Sequence, residues 1–385
     1  MHCPQRQEAM ARNPFSLGST DVPLCNRRDE LGALVRHAEN GQNALLYGSR
    51  RTGKTMLIKE VQKRLAQKGF VVVFCDLFGV VSVEDISARI CRALFEVTQK
   101  REPIFKRAFR ALTTFRPALK PTGNGMGVSV TVEKSTADMG IDVLERTLSD
   151  LASFMDRTEE RIHIVLDEFQ EITEIEKGVQ IQGVMRKHIQ EMSVSFFFVG
   201  SRMRILREMF HDRSKPFFQS TFDYELGGLP RDECVDYVRE RFRSGGREIS
   251  EELAGLIFER ISGNPYYLQK LCHILFDSGE GKEKEEDAVF RAFRSLLESE
   301  KGYFEATLDS LTARQRSLLT ALAKEPTTSI YSSEYTQRHS LGSLGGIQQS
   351  VEALSKSDLI AKENGVWMVT DPVLKAWLKE KSSYS

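Results

Sequence analysis

A net charge is the first thing this sequence lacks. Its 54 basic and 54 acidic side chains cancel, for a formal charge of +0 at pH 7. No global field draws the chain to nucleic acid or to an anionic membrane, so any such contact has to come from a local patch. Cysteine is sparse: Cys3, Cys25, Cys75, Cys91, Cys234 and Cys272 form no C-x-x-C pair, and several stand in apolar runs. That pattern reads as buried thiols in a reducing compartment, with no zinc site and no disulfide framework. Long hydrophobic runs are missing too. A run such as Phe70 to Phe74 falls far short of a bilayer span. The opening MHCPQRQEAMARNPF has no apolar core of signal-peptide length, and no fixed-period repeat is visible. The expectation is a cytoplasmic protein without membrane association.

What is present is globular. Hydrophobic residues make up 41% and charged residues 28% of 385 positions, more than one ordinary core accommodates, so two or three domains are expected. Short apolar runs alternate with helix-like segments through the first two-thirds, which predicts βαβ units and a mainly parallel sheet. The expected strands are Asn43–Tyr47, Phe70–Asp76, Arg161–Asp167, Ser195–Gly200 and Thr221–Leu226. Nearly all their residues are apolar, as in strands covered on both faces. Helices are predicted at Lys54–Gln67, Val83–Gln99, Ile141–Asp156 and about Val179–Glu191. A Gly-rich stretch, Asn124–Val132, reads as a hairpin inserted at about 118–135.

From Pro230 the pattern becomes purely helical, at Arg231–Arg243, Ser250–Ile261 and Pro265–Phe276. The charged run Glu280–Asp287 reads as a solvated loop or a helix start. Further on, helices at Ala313–Ala323, Glu334–Ser340 and Gly345–Lys356 precede two β-like runs around Asn364-Gly365. Three helices and then an Asn-Gly hairpin is the order of a winged helix-turn-helix. The domains expected are a tail at 1–18, a core at 19–229, a helical lid at 230–304 and a winged helix at 305–385.

One motif carries chemistry. GSRRTGKT, Gly48 to Thr55, fits G-x-x-x-x-G-K-[ST] at every fixed position. Gly48 and Gly53 would let successive backbone N–H groups of Ser49, Arg50, Arg51 and Thr52 turn into one phosphate-binding concavity. The helix starting near Lys54, with Met56 in its first turn, adds its positive end. Lys54 would reach the β- and γ-phosphates, and the Thr55 hydroxyl would bind Mg²⁺. The strand Ile162-His163-Ile164-Val165-Leu166 ends in Asp167-Glu168, a Walker B pattern in which Asp167 serves Mg²⁺ and Glu168 polarises the attacking water. At the end of the next strand, FFFVGSR, Arg202 would complement charge on the transferring phosphoryl group; a surface ion pair is the plainer alternative. No N-K-x-D motif for guanine is present, and Asp76-Leu77-Phe78-Gly79 matches D-x-x-G too cheaply to count, so ATP/ADP is the expected nucleotide.

In order, Leu24 to Leu31 (LCNRRDEL), GSRRTGKT, LDEFQ, VGSR, SGNPYYLQKL (Ser262 to Leu271) and a winged helix resemble the archaeal-type P-loop ATPases of the STAND class, akin to AAA+ origin-recognition initiators. The resemblance covers roughly residues 13 to 380. It implies an α/β P-loop NTPase core of ASCE type with a mainly parallel five-stranded sheet. It further implies that the Walker B strand stands beside the P-loop strand, separated from it in sequence by another strand. It implies a lid proline near the base, matched by Pro265, and an adenine pocket near Arg27 to Glu30, a segment placed before the first helix. No role for His339 carries over, and no arginine finger is clear; Arg213 is the nearest candidate, which leaves self-association open.

Basic and acidic residues from Glu305 to Ser385 balance at nine each. The expected recognition helix offers Gln348 and Gln349 as its only candidate base readers, and strong phosphate binding needs several cations on one face. A domain that packs on the nucleotide core is therefore favoured over DNA contact. Lys100 to Lys120 is more basic and interleaved with Phe105, Phe109 and Phe115, so a solvated amphipathic helix or a site for an acidic partner or nucleic acid both fit. The preferred function is an Mg²⁺-dependent ATPase used as a conformational switch. The alternative is an ATP-gated DNA-binding protein of initiator type.

Overall fold

The computed structural model describes residues 13–16, 25, 27–99, 115–122, 125–132, 140–158, 160–279 and 285–383. Several sequence expectations lie outside these residues: most of the N-terminal tail, Leu24 and Asn26, positions 100–114 of the basic segment, and positions 280–284. The chain divides into two compact units. The sheet unit comprises Arg27–Arg50 and Lys54–Leu226. The helical unit comprises Met1–Asn26, Arg51–Gly53 and Gly227–Ser385.

In the sheet unit, α1 (Arg28–Glu39), β1 (Ala44–Tyr47), α2 (Lys54–Gln67), β2 (Val71–Asp76) and α3 (Val83–Gln99) lead to a hairpin of β3 (Phe115–Thr122) and β4 (Gly125–Val132). After it come α4 (Ile141–Thr158), β5 (Ile162–Asp167), a 3-10 helix at Phe169–Glu174, α5 (Gly178–Glu191), β6 (Ser195–Gly200), α6 (Met203–His211) and β7 (Phe222–Glu225). Five strands form one sheet in the order β2-β5-β6-β1-β7, every pair parallel. Arg28 to Glu30 thus lie within the first helix rather than before it, because Arg27 caps it from a left-handed conformation.

The strand expected beside β1 requires a correction. β5, which ends in Asp167, does not touch β1, because β6 stands between them. β1, β5 and β6 are all buried along their whole length, as strands with a neighbour on each side and a covering layer on each face are. Phe169, Phe198, Phe210 and Phe217 supply part of that covering. Their ring centroids stand 4.6–6.0 Å apart in tilted or edge contacts, the spacing at which aromatic pairs attract beyond simple area burial. The Phe169 ring anchors the turn just after β5.

The helical unit contains α7 (Arg231–Ser244), α8 (Glu251–Ile261), α9 (Pro265–Asp277), α10 (Glu285–Asp309), α11 (Ala313–Lys324), α12 (Ser333–Arg338), α13 (Leu344–Lys356), β8 (Ile360–Glu363), β9 (Val366–Val369) and α14 (Pro372–Ser383). The winged-helix order is present. β8 and β9 pair antiparallel across Asn364 and Gly365, both at positive φ (48° and 84°), as a two-residue hairpin turn of the primed type requires. Two helices, α6 and α14, were not foreseen, and of α10 only a start in the charged run was. The charged start of α10 conceals a buried stripe of Val289, Phe293, Leu296, Leu297, Phe304 and Leu308 at spacings of mainly three and four. This helix runs unbroken through residues 304 and 305, where a domain border was expected. Near the N-terminus, Phe15 is buried against Phe242 and Phe276, and Asn13 donates to His273 O and to Asp277.

Cys75, Cys91, Cys234 and Cys272 are free and buried, and Cys25 is buried as well. Among the described residues no cluster could hold a metal through His, Cys, Asp and Glu, and no helix is long and apolar enough to cross a membrane.

This packing can be tested at two positions. Phe198→Ala removes the ring at the centre of the aromatic group and costs about 3–5 kcal/mol of sheet-unit stability, read by urea unfolding. The second position is His163, fully buried on β5 with Nδ1 2.8 Å from Ser195 Oγ. Burial pushes its imidazolium down to about 3. The unfolded chain therefore binds this proton near pH 6.5 while the folded one refuses it, so stability is full above that value and falls as pH drops towards 3. The slope is about 1.4 kcal/mol per pH unit. Stability curves between pH 7 and 4 should be flatter by about that amount in His163→Gln than in the native chain.

Candidate functional site

The sheet unit brings its chemistry to the carboxyl ends of β1, β5 and β6, which are neighbours in the order β5-β6-β1. This is the edge at which open parallel sheets bind ligands. β1 runs into Gly48, and α2 starts at Lys54, so a helix N-terminus comes directly after the loop. Lys54 is buried, and its ammonium donates to Gly48 O at 2.9 Å and Ser49 O at 2.8 Å. Ser49 Oγ stands 3.7 Å from Met203 Sδ, and Arg50, Thr55 and Met56 are exposed.

The loop's left-handed positions differ from those expected. They are Arg51 (φ 68°) and Gly53 (φ 89°), and Gly48 takes no positive φ. A left-handed arginine is strained, and its side-chain contacts are what hold it there.

Asp167 ends β5. Its Oδ2 lies 3.4 Å from the Thr55 hydroxyl, and its Oδ1 accepts the Glu168 N–H at 3.0 Å. Burial, then the Glu168 charge, pushes the Asp167 carboxyl up to about 6, against the pull of the Glu168 N–H and the Lys54 ammonium. Glu168 itself sits in the left-handed region (φ 50°). Its Oε2 accepts from Ser201 Oγ at 2.9 Å and from the Gln170 amide.

Arg202 does not join this group. Its guanidinium is paired with Glu174 at 2.7 Å and Glu171 at 3.5 Å. The residue that β6 delivers to the acids is its neighbour Ser201, which the sequence pattern does not single out, and neither does it single out Gln170. The signal lies in the strings VGSR and LDEFQ, but the reach of each side chain depends on turns that the strings do not encode. Arg27 is buried and left-handed, with Nη1 3.1 Å from Glu30. Arg213 is exposed.

The helical unit holds the remaining candidates. Thr52 is buried, and a methyl group at Gly53 would stand 3.9 Å from Pro265. Pro265 opens α9, whose free N–H groups at Tyr266 and Tyr267 are capped by Asn264 Oδ1 at 3.0 and 3.3 Å. Arg51 Nη1 lies 3.1 Å from both Tyr267 Oη and Glu300 Oε2. Its guanidinium stands 4.2 Å from the Tyr266 ring centre and 4.7 Å from that of Tyr303. Burial would raise the Glu300 carboxyl, but the Lys270 hydrogen bond and the Arg51 charge more than offset it and hold it below the usual range. Tyr267 Oη donates to Asp371 at 2.6 Å, and Asp371 caps α14 through the Val373 and Leu374 N–H groups. His339, in the winged helix, pairs with Glu325 at 2.9 Å.

The donor set fits ATP and Mg²⁺. A hydroxyl and a buried carboxylate of raised pKa, side by side, are hard oxygen ligands of the kind Mg²⁺ takes. The start of α2, directly after the glycine-flanked loop, supplies the positive helix end at which phosphates bind.

Comparisons with known proteins agree. ATPase domains predominantly from Archaea match residues 24–271, and a probable winged helix domain matches residues 302–380. No curated protein matches. Among solved structures, the chain resembles the Walker-type ATPase PabY2304 of Pyrococcus abyssi, at 16% identity and a TM-score of 0.67. That match covers 92% of this chain and 96% of that one. It also resembles the Aeropyrum pernix ORC2 protein in its ADPNP-ADP complexes, at 17% identity and a TM-score of 0.60, covering 97% and 98%. At these identities the likeness concerns the fold. The match over residues 24–271 goes further, and with the P-loop geometry it makes the chain a member of the family of ATPase domains found predominantly in Archaea.

Proposed function

We propose that this ATPase is an Mg²⁺-dependent, nucleotide-driven conformational switch of the STAND type. The observation that carries the reading is the convergence, within the sheet unit, of the buried Lys54 ammonium, the Thr55 hydroxyl and the Asp167-Glu168 pair. Gly48 to Thr55 hold the phosphates through backbone N–H groups, and Lys54 exchanges its two carbonyl partners for phosphate oxygens. Thr55 and Asp167 would hold Mg²⁺, which would supply charge neutralisation at the phosphates. Glu168 accepts the proton of the attacking water. Arg202 serves the phosphoryl group only if it leaves Glu171 and Glu174. In the sheet unit Arg27 is assigned to the adenine pocket, and Pro265 keeps the lid role that the resemblance implies.

The switch half of the reading draws on the helical unit. There Arg51, a phosphate-loop residue, shares one hydrogen-bonded chain with Tyr267 and with Asp371 at the head of α14. A loop residue that moves with nucleotide state therefore has a route to the last helix of the winged-helix domain. A reducing, cytoplasmic setting is consistent with the free buried thiols.

A second reading, ATP-gated DNA binding, is favoured by one observation: Gln348 and Gln349 are exposed on α13. Salt-dependent DNA affinity that changes with nucleotide supports it, and absence of binding at low salt disposes of it. The basic segment 100–120 offers a separate place for an acidic partner or nucleic acid.

Three experiments test the primary reading. Lys54→Ala should abolish ATP binding, and retained micromolar affinity in a titration would refute the site. Glu168→Gln should keep ATP bound while turnover falls at least about a hundredfold. For the switch, hydrogen exchange over residues 365–383 should differ between ATP- and ADP-bound protein, and the difference should vanish in Arg51→Ala; an unchanged difference removes the Arg51 route.

A further inference from the structure

Glu168 is the hydrolytic base in the ATPase reading above, and the clamp described next rests on that reading. We propose that Gln170 and Ser201 are positioning residues for this base: they hold one oxygen of its carboxylate and so aim the other at the attacking water.

Both donors converge on the same atom. Ser201 Oγ stands 2.9 Å from Glu168 Oε2, and the Gln170 amide donates to that same oxygen. Oε1 accepts no hydrogen bond among the described residues. Gln170 is 1% and Ser201 2% exposed, so both donors are shielded from water. The backbone is fixed as well. Glu168 is left-handed, its N–H is held by Asp167 Oδ1, and the next residue, Phe169, is locked among the rings of Phe198, Phe210 and Phe217.

Gln170 is not there for packing. Its own Oε1 is buried without a partner, a costly arrangement that a leucine would avoid. The neighbouring strand makes room for it. A methyl group on Gly200 would lie 2.0 Å from Gln170 Oε1 and 2.8 Å from Leu206 Cδ1, so a larger residue at the end of β6 would displace the Gln170 amide. An amide kept at the expense of an orphaned carbonyl, and accommodated by a glycine, is there for its donor.

The chemistry explains what the clamp does. In hydrolysis the water O–H bond breaks and its proton goes to Glu168 Oε1, while the electron pair forms the new O–P bond. The bond from the γ-phosphorus to the β,γ-bridging oxygen breaks, and its pair leaves with ADP. The terminal torsion of a glutamate is broad, so an unclamped carboxylate spreads over many orientations. Two donors on Oε2 select one of them and leave a lone pair of Oε1 for the water. This is orientation of the base, which acts on turnover and not on substrate binding.

The test uses the full chain. Gln170→Met keeps length and volume but removes the donor, and Ser201→Ala removes the hydroxyl. Each should lower kcat about tenfold or more, with the ATP Kd and the melting temperature essentially unchanged. In a Glu168→Gln background, measured by single-turnover hydrolysis, neither substitution should lower the rate further, because both act through Glu168. If both variants keep kcat within about twofold of the native rate while Glu168→Gln is inactive, the clamp is overturned and the base assignment survives. An equal loss in the Glu168→Gln background also overturns it. Native turnover in Glu168→Gln would instead overturn the base assignment, and the clamp with it. Should Gln170→Met fail to fold, Ser201→Ala decides the matter alone.

Discussion

A carboxylate buried at the end of a parallel strand is unfavourable in isolation, and Asp167 is one, with a second acid beside it. Much of the sheet unit's local architecture answers that constraint. Lys54 brings a buried positive charge near it, Thr55 brings a hydroxyl, and the Glu168 N–H turns back onto it. Turning that N–H back goes with the left-handed conformation of Glu168, and the aromatic group around Phe169 holds the strained turn in place. Simple stability would favour an apolar residue at position 167. The fold keeps the acid, and perturbed acids of this kind gather where ligands bind.

The parts of the site dictated by chemistry at fixed spacing were legible in the sequence. GSRRTGKT runs from the end of β1 into the first turn of α2, and the acids sit at the end of β5, the places that the motif spacing implied. Strand identities were legible for the same reason that the strands are buried, since runs such as SFFFVG leave few alternatives. What depended on turn geometry was not legible. Ser201 and Arg202 are adjacent, and only the path of the chain after β6 decides which of them reaches the acids. The left-handed position in the phosphate loop falls on Arg51, where no glycine marks it. The strand order escaped as well, because β1 pairs with β6, which is distant in sequence, and the apolar runs of β1, β5 and β6 are too alike to tell neighbours apart. For α14 a signal existed: Asp371-Pro372 is an N-cap with a proline in the first turn after it. The Asn-Gly hairpin just before it is the stronger local pattern and marks the chain there as turn and strand.

Arg51 illustrates how a strained residue is retained. Its left-handed backbone is offset by an ion pair with buried Glu300, a hydrogen bond with Tyr267 and two aromatic faces. Substitution by lysine would keep the charge and lose the planar group that stacks and forks at once. Glu300 in turn answers to Lys270 and Tyr266, so the cluster is a network whose members are not separable pair by pair.

The unbroken helix α10 has a mechanical meaning. At 25 residues it is a rod about 37 Å long, and Glu300, which grips Arg51, lies well towards its C-terminal end. A rod pivoted near one end magnifies small rotations at the other, so tilting α10 by about 5° would carry its far tip by about 3 Å. With no joint at residues 304 and 305 to absorb it, a tilt imposed at one end is handed undiminished to whatever packs on the other. The stiffness of one helix thereby turns a local adjustment into a displacement comparable to the pitch of a side-chain ridge.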